Sequence, residues 1–475
     1  MIYEKTISYE QNELLQPDYA AQEEISFQAD KNGGWWITFL LGSILFGPVI
    51  VVSRTLPPFR LDDLVILLML AIRWNKSRYL HGGFMFSYRV RLFTLFILAI
   101  TLEICFSTMV SVLIGRFQFF YKDLFIPIVF IRMAIIAAIA ASFVLEERQI
   151  NQILKGTIIL SLLSVLLAFA QKMGPLASSP LMNKLYTFEG SGQLQVQLMH
   201  ETGRARVIGT FGNPNVFAGS LVMLCAILIS FAINSKGFKK YSSIATFLTL
   251  LAALLFTTGS RTSIAGLFVI SSCTLVLSLR KGTRLKAIIY LALFVVMVIF
   301  IQKNIEYLPV NVRLKEILQG TTGGGTLVSF HTRWAMWMKS FHQAEKSLLF
   351  GVGASKGIEQ ITDNGYFYTL LRIGLVGLGT YIIMTISLFV SGLRAFALSS
   401  SPLKRASLLA FTMVVVNSAV FEMTGEFFWN IRYGGMFGMI MGLLCGLSYQ
   451  IKDEYQYAAY DDNDNYYLTD ECESY

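Results

Sequence analysis

Apolar runs of about 18 or more residues recur along the whole chain, separated by short polar or basic stretches, which is the pattern of helices that cross a bilayer. About twelve such spans are predicted, near 35–53, 61–73, 92–115, 123–145, 153–171, 213–233, 242–257, 262–279, 285–301, 366–393, 403–421 and 433–450. The predicted fold class is therefore all-α, a polytopic helical membrane protein. Membrane β-barrels carry alternation over about ten residues instead, and these runs do not alternate. Residues 1–34, with "QNELLQPDYAAQEE", are polar and acidic and lack a signal-peptide core, so they read as a cytoplasmic N-terminal segment. The membrane domain then spans 35–450, with long loops at 172–212 and 302–365. An acidic, aromatic tail at 451–475 has little to bury and is expected to be disordered.

Composition agrees and removes other classes. Hydrophobic residues make up 54% of the 475 and charged residues only 15%, against about 25% charged in a soluble globular protein. Cys105, Cys225, Cys273 and Cys445 sit in apolar runs and Cys472 in the tail, with no metal-type spacing, so they read as packing residues. No basic-aromatic array of the nucleic-acid-binding kind appears. The formal charge of +9 matters through its placement. Arg73, Lys76, Arg78, Arg89 and Arg91 lie in one connection, and Lys236, Lys239 and Lys240 in a second. Arg280, Lys281, Arg284 and Lys286 lie in a third, and Arg394, Lys404 and Arg405 in a fourth. Alternating spans put all four on one side, which the positive-inside rule makes the cytoplasm. Both termini are then cytoplasmic and both long loops face outward.

Arginines on the outer side run against that bias. Arg204 and Arg206 precede "GTFGNPN" and the sixth span, and Arg261 sits in the short turn "TTGSRTSIAG". Arginine at a hydrocarbon boundary is costly without an anionic partner, and its planar fork suits phosphate. Lipid contact or snorkelling is the plainer alternative. Asn213 and Asn215 open the sixth helix, where Asn215 could serve simply as the N-cap. Glu103 and Arg132, at similar depth on neighbouring spans, are expected to form a buried ion pair, or else an ion path. In the second long loop, "FHTRWAMWMKSFHQAEKSLLF" puts Phe330, Trp334, Trp337, Met338 and Phe341 on one helical face. His331, Arg333, Lys339 and Glu345 are left for the other. That suits either an interfacial or an ordinary packing helix. Asp363 and Asn364 end this loop, as N-cap or as general base.

Three stretches, "RVIGTFGNPNVFAGSL", "TTGSRTSIAGL" and Arg333 with "LLFGVG" running into "TDNGYFYTLLRIGLVGLGTY", resemble the O-antigen polymerase and O-antigen ligase family of bacterial membrane proteins. The likeness covers about residues 200–390. It implies an architecture related to the GT-C membrane glycosyltransferases and inverting glycosyl transfer, without metal or cofactor, on the outer face of the cytoplasmic membrane. The implied donor is a glycan on undecaprenyl pyrophosphate, and a chain-length regulator and a flippase of the same pathway are the implied partners. Carried onto this chain, Arg206 and Arg261 would hold the pyrophosphate. Arg333 matches a recurrent loop arginine, and Arg204, Asn213, Asn215 and Asn364 become substrate contacts. Ligases of the family usually carry a histidine where this chain has Asp363. Its absence favours a polymerase over a ligase and leaves Asp363 as the candidate base. A ligase, or a transporter using Glu103 and Arg132, are the alternatives.

Overall fold

A computed structural model of the chain describes residues 32–50, 59–79, 90–115, 123, 125–143, 145–173, 207–258, 260–278, 292, 325–354 and 363–472. The first elements are α1 (Gly33–Phe46), a two-residue antiparallel pair β1 (Val49–Ile50) and β2 (Phe59–Arg60), then α2 (Leu61–Tyr79). There follow α3 (Arg91–Leu113), α4 (Phe125–Ala141), α5 (Glu147–Lys172) and α6 (Pro214–Asn234). Next come α7 (Gly237–Ala253), which widens into a π turn at Leu254–Thr258, and α8 (Arg261–Leu277). The series ends with α9 (Gly325–Glu345), α10 (Gly365–Leu398), α11 (Pro402–Glu422) and α12 (Ile431–Cys472).

The expected span 285–301 lies outside the described residues; each of the other expected spans falls on a helix. Seven helices among the described residues are long and apolar enough to cross a membrane, and α1, α4 and α8 are apolar but shorter. The protein is a polytopic helical membrane protein, with fewer full-length spans among the described residues than the twelve predicted. Gly47-Pro48 stops α1 after 14 residues, about 21 Å of helix against a hydrocarbon core of about 30 Å. At the other end, α12 carries helical backbone to Cys472, into the segment 451–475 where order was expected to end. No glycine or proline interrupts residues 447–472, so nothing local terminates the helix.

Helix α6 is the central post. It is apolar all round, and 94% of its most apolar 18-residue window is buried, as expected of a helix with no solvent or lipid face. Helices α3 and α10 instead expose Leu95, Leu102 and Met109, and Ile382, Ile383 and Ile386, a lipid-facing stripe. Helix α12 presents Gly434, Gly438, Gly442 and Gly446 at four-residue spacing to Met133, Ala137 and Ala141 of α4. Repeated small residues of this kind let helix backbones meet where lipid supplies no hydrophobic drive.

Two contacts fix which helix ends lie together. Asn417 of α11 donates to the Gly219 carbonyl of α6 at 3.4 Å, and Asn364 donates to the Met423 carbonyl at 3.2 Å. The starts of α6 and α10 and the end of α11 therefore share one end of the bundle. With alternating helices, α2, α4, α6, α8, α10 and α12 all begin there. Lys236, Lys239, Lys240, Arg394, Lys404 and Arg405 belong to connections at the opposite end.

The expected Glu103–Arg132 pair does not form. Arg132 pairs with Asp62 and, at 2.7 Å, with Asp63, both in the first turn of α2, while Arg60 also binds Asp62 at 2.9 Å. Glu103 instead accepts from the Thr380 hydroxyl at 3.1 Å. Sequence depth alone could not show that α2 begins beside α4, and two clustered carboxylates outcompete one.

The glycine ridge yields a paired test. A Cβ at Gly442 would lie 2.2 Å from the Ala137 carbonyl oxygen, whereas one at Gly379 meets nothing within 4 Å. Alanine gains about 1 kcal/mol of helix propensity at either site, but overpacking costs about 1–3 kcal/mol and a backbone carbonyl cannot swing aside. Gly442→Ala is expected to lower the unfolding temperature in detergent, and Gly379→Ala to leave it unchanged or raise it.

Candidate active site

The end of the bundle where the even-numbered helices begin is built from short, tightly bonded turns. Three of the helix starts carry asparagine caps. Asn213 accepts from Asn215 and Val216, Asn364 from Tyr366 and Phe367, and Asn430 from Arg432 and Tyr433, at 2.8–3.3 Å. The N-cap of α6 is thus Asn213 and not Asn215, because Pro214 takes the first helical position, where its missing N–H costs nothing. Six helix N-termini at one end give it a positive dipole potential, suited to an anion.

Residues 207–213 form a pinned knot. The Val207 amide donates to the Thr257 carbonyl at 3.1 Å. Gly209 exchanges two 2.9 Å bonds with the Gln171 amide, one through its N–H and one through its C=O. The Thr210 hydroxyl donates to the Leu45 carbonyl. Gly209 has φ 55°, and a Cβ there would lie 2.3 Å from the Phe217 ring, so only glycine fits. Arg432 closes the knot from α12, donating to the carbonyls of Leu45 and Gly47 at 3.2 and 2.8 Å with its guanidinium 5.7 Å from the Phe211 ring centroid. The widened end of α7 is polar inside: Thr257, Thr258 and Ser260 are buried. The Ser260 hydroxyl, one residue before Arg261, has no hydrogen-bond partner among the described residues.

A second construction lies across the bundle. Helix α10 breaks at Gly374, φ 68°. Two rungs of its ladder are replaced by four bonds to residues 348–353. Leu375 and Val376 donate to the carbonyls of Leu348 and Leu349, at 2.8 and 3.2 Å. The carbonyls of Leu371 and Arg372 accept from Val352 and Gly353, each at 2.8 Å. Arg372 also donates from its side chain to the Gly353 carbonyl at 3.2 Å, and Thr108 of α3 accepts from Ala354 at 2.9 Å. Every group freed by the break has a partner, as an apolar surrounding requires.

Above this insert, α9 packs on the first turns of α10. Met336, Trp337, Ser340, Phe341 and Ala344 form its packed stripe, with Trp337 stacked on Phe367 at 5.9 Å and 17°. Trp334, expected on the same face, is exposed. Arg333 extends the stripe to Asp363, Nε to carboxylate oxygen at 3.5 Å. Among the described residues Asp363 is the one non-glycine with positive φ, 48°, a conformation that aspartate tolerates better than most residues and that recurs at functional sites. The adjoining Asn364 is buried and engaged at both ends of its amide. Below them Glu422, fully buried at the end of α11, accepts from the Phe428 amide and sits against Gly365. Trp429 donates to Thr369 at 3.0 Å.

Of the candidates read from sequence, Arg204, Arg206 and the Arg261 side chain lie outside the described residues; the Arg261 backbone opens α8. The structure brings their surroundings together, since Val207 follows Arg206 and Thr257 stands four residues before Arg261. Arg333 and Asp363 are brought into contact. Asn213 and Asn364 serve as caps. Glu422, Arg432 and Gln171 were missed. Glu422 and Arg432 stand in or beside apolar runs, so the reasoning applied to Glu103 would have found them.

Residues 244–382 match the family model described as O-antigen ligase. The match runs from within α7 to within α10 and includes Arg261, Arg333 and Asp363, and it bears out over that segment the resemblance to the O-antigen polymerase and ligase family. No curated protein matches the chain. The family supports glycan ligase or polymerase-type activity on lipid-linked glycans.

The knot carries its own test. Gln171→Leu would leave the buried N–H and C=O of Gly209 unpaired, at about 1–3 kcal/mol for each group. The variant is expected to lose thermal stability in detergent and glycan-transfer activity together.

Proposed function

We propose that the protein is a polysaccharide repeat-unit polymerase acting on the outer face of the bacterial cytoplasmic membrane. The observation that carries this reading is the Val207–Thr257 bond, which joins the two arginine-bearing segments at the end of the bundle opposite the basic connections. By the positive-inside rule that end is the outer one, and both termini are cytoplasmic. Arg206 and Arg261 hold the pyrophosphate of an undecaprenyl-linked glycan among helix N-termini. They stabilise the charge that develops as it leaves, a contribution of about 3–4 kcal/mol for a well-placed donor. Asp363 takes the proton of the acceptor hydroxyl, whose oxygen bonds the anomeric carbon as the bond to pyrophosphate breaks. No metal enters this scheme. Arg333, Arg204 and Asn215 would steer the donor toward Arg206 and Arg261. A chain-length regulator and a flippase would act beside it in the same pathway.

Asp363 in place of the usual histidine supports polymerase over ligase. A transport reading takes Glu103 and Arg132 as its intramembrane charges, and of these Arg132 is tied to Asp62 and Asp63.

Purified protein given a lipid-linked repeat unit is expected to produce a ladder of longer glycans. Arg206→Ala and Arg261→Ala should each abolish the ladder with expression intact, and Asp363→Asn should slow it about 100-fold or more. Full activity in both arginine variants would overturn the pyrophosphate assignment, and transfer of one glycan to a different acceptor would establish a ligase.

A further inference from the structure

Arg333 and Asp363 meet through one contact of 3.5 Å, with 32% and 34% of their side chains exposed. A charge-assisted hydrogen bond is ordinarily about 2.7–2.9 Å, so this pairing is loose. A guanidinium carries five N–H donors, and among the described residues Arg333 makes no other hydrogen bond or ion pair. The backbone beneath it is fixed: one turn on, Trp337 stacks on Phe367, and Ser340 and Ala344 are buried. On the other side, Asp363 directly precedes Asn364, whose amide caps α10 and donates to the Met423 carbonyl. Two anchored backbones joined by a loose, accessible ion pair leave a side-chain rotation as the motion available.

We infer that Arg333 is shared between two anions, pairing with Asp363 until the donor arrives and with the donor's pyrophosphate afterwards. This rests on the reading of Asp363 as the base and of a lipid pyrophosphate as the donor. Pyrophosphate offers several oxygens to the planar fork where Asp363 takes one nitrogen. Donor binding therefore removes the cation from Asp363 and frees its carboxylate to accept the hydroxyl proton. As the bond from the anomeric carbon to the pyrophosphate oxygen breaks, its electron pair stays on that oxygen and the charge facing Arg333 grows. Arg333 is thus a positioning residue in the free enzyme and a donor contact in the loaded one. The base is withheld while no donor is present.

The competition is measurable without turnover, as the affinity of undecaprenyl pyrophosphate for the protein in nanodiscs. Wild type, Asp363→Asn, Arg333→Gln and the double variant are compared. Asparagine tolerates positive φ as aspartate does, so the backbone is kept. Asp363→Asn is expected to bind about two- to fivefold tighter than wild type, the range of an exposed ion pair. Arg333→Gln should bind about tenfold weaker, and adding Asp363→Asn to it should restore nothing comparable. Equal affinity in wild type and Asp363→Asn overturns the hand-over alone. So does the same gain in both backgrounds, which would be a general charge effect. No binding by any of the four overturns the donor reading and the hand-over with it.

Discussion

Two missing rungs at Gly374 and one knotted turn at Gly209 show the constraint on which the active end of this protein depends. Where a helix stops or breaks inside the bundle, its buried backbone groups are shut off from water, and each needs a protein partner. At Gly374 the partners are the carbonyls and amides of residues 348–353. At Gly209 they are the two ends of one glutamine amide. These bonds fix non-helical chain where it can face a ligand, and both glycines have positive φ. The site is held by backbone satisfaction more than by side-chain packing.

That arrangement explains how a bundle held mainly by apolar contact can carry so many charges at one end. Arg60, Asp62, Asp63 and Arg132 neutralise one another, and Arg432 spends its donors on the carbonyls that α1 leaves at its end. Burial pulls the Arg60 guanidinium below its ordinary value, and the Asp62 carboxylate opposes that pull. Breaking such a cluster at one member strands a buried charge, which costs far more than the cluster contributes when intact. The cluster is scaffold. Arg333 and Asp363, loosely paired and a third exposed, are of a different kind and are available for chemistry.

Much of this was legible in the sequence, because hydrophobic period and loop charge are local signals. The helices, the common end of the two described basic connections and a helix within the second long loop all follow from them. The turn "GTFGNPN" announced a break before α6. What it did not announce was tertiary. Arg132 finds Asp62 and Asp63 because α2 starts beside α4, and no spacing within one helix encodes that. Trp334 and Trp337 share a face by periodicity, yet α10 covers only one of them. The break in α10 was equally hidden, since "LLRIGLVGLG" reads as continuous helix until the 348–353 segment is seen to intercept its rungs.

The central claim is that one end of the bundle, on the outer side, receives a lipid-linked pyrophosphate. The most direct measurement is photo-crosslinking with an undecaprenyl pyrophosphate analogue carrying a photoreactive group beside the pyrophosphate, followed by peptide mapping. Label is expected within residues 204–213, 257–263 and 330–364, displaced by unlabelled lipid pyrophosphate. Label confined to the basic connections near 235–240 and 399–405, or label that unlabelled lipid does not displace, would contradict the account.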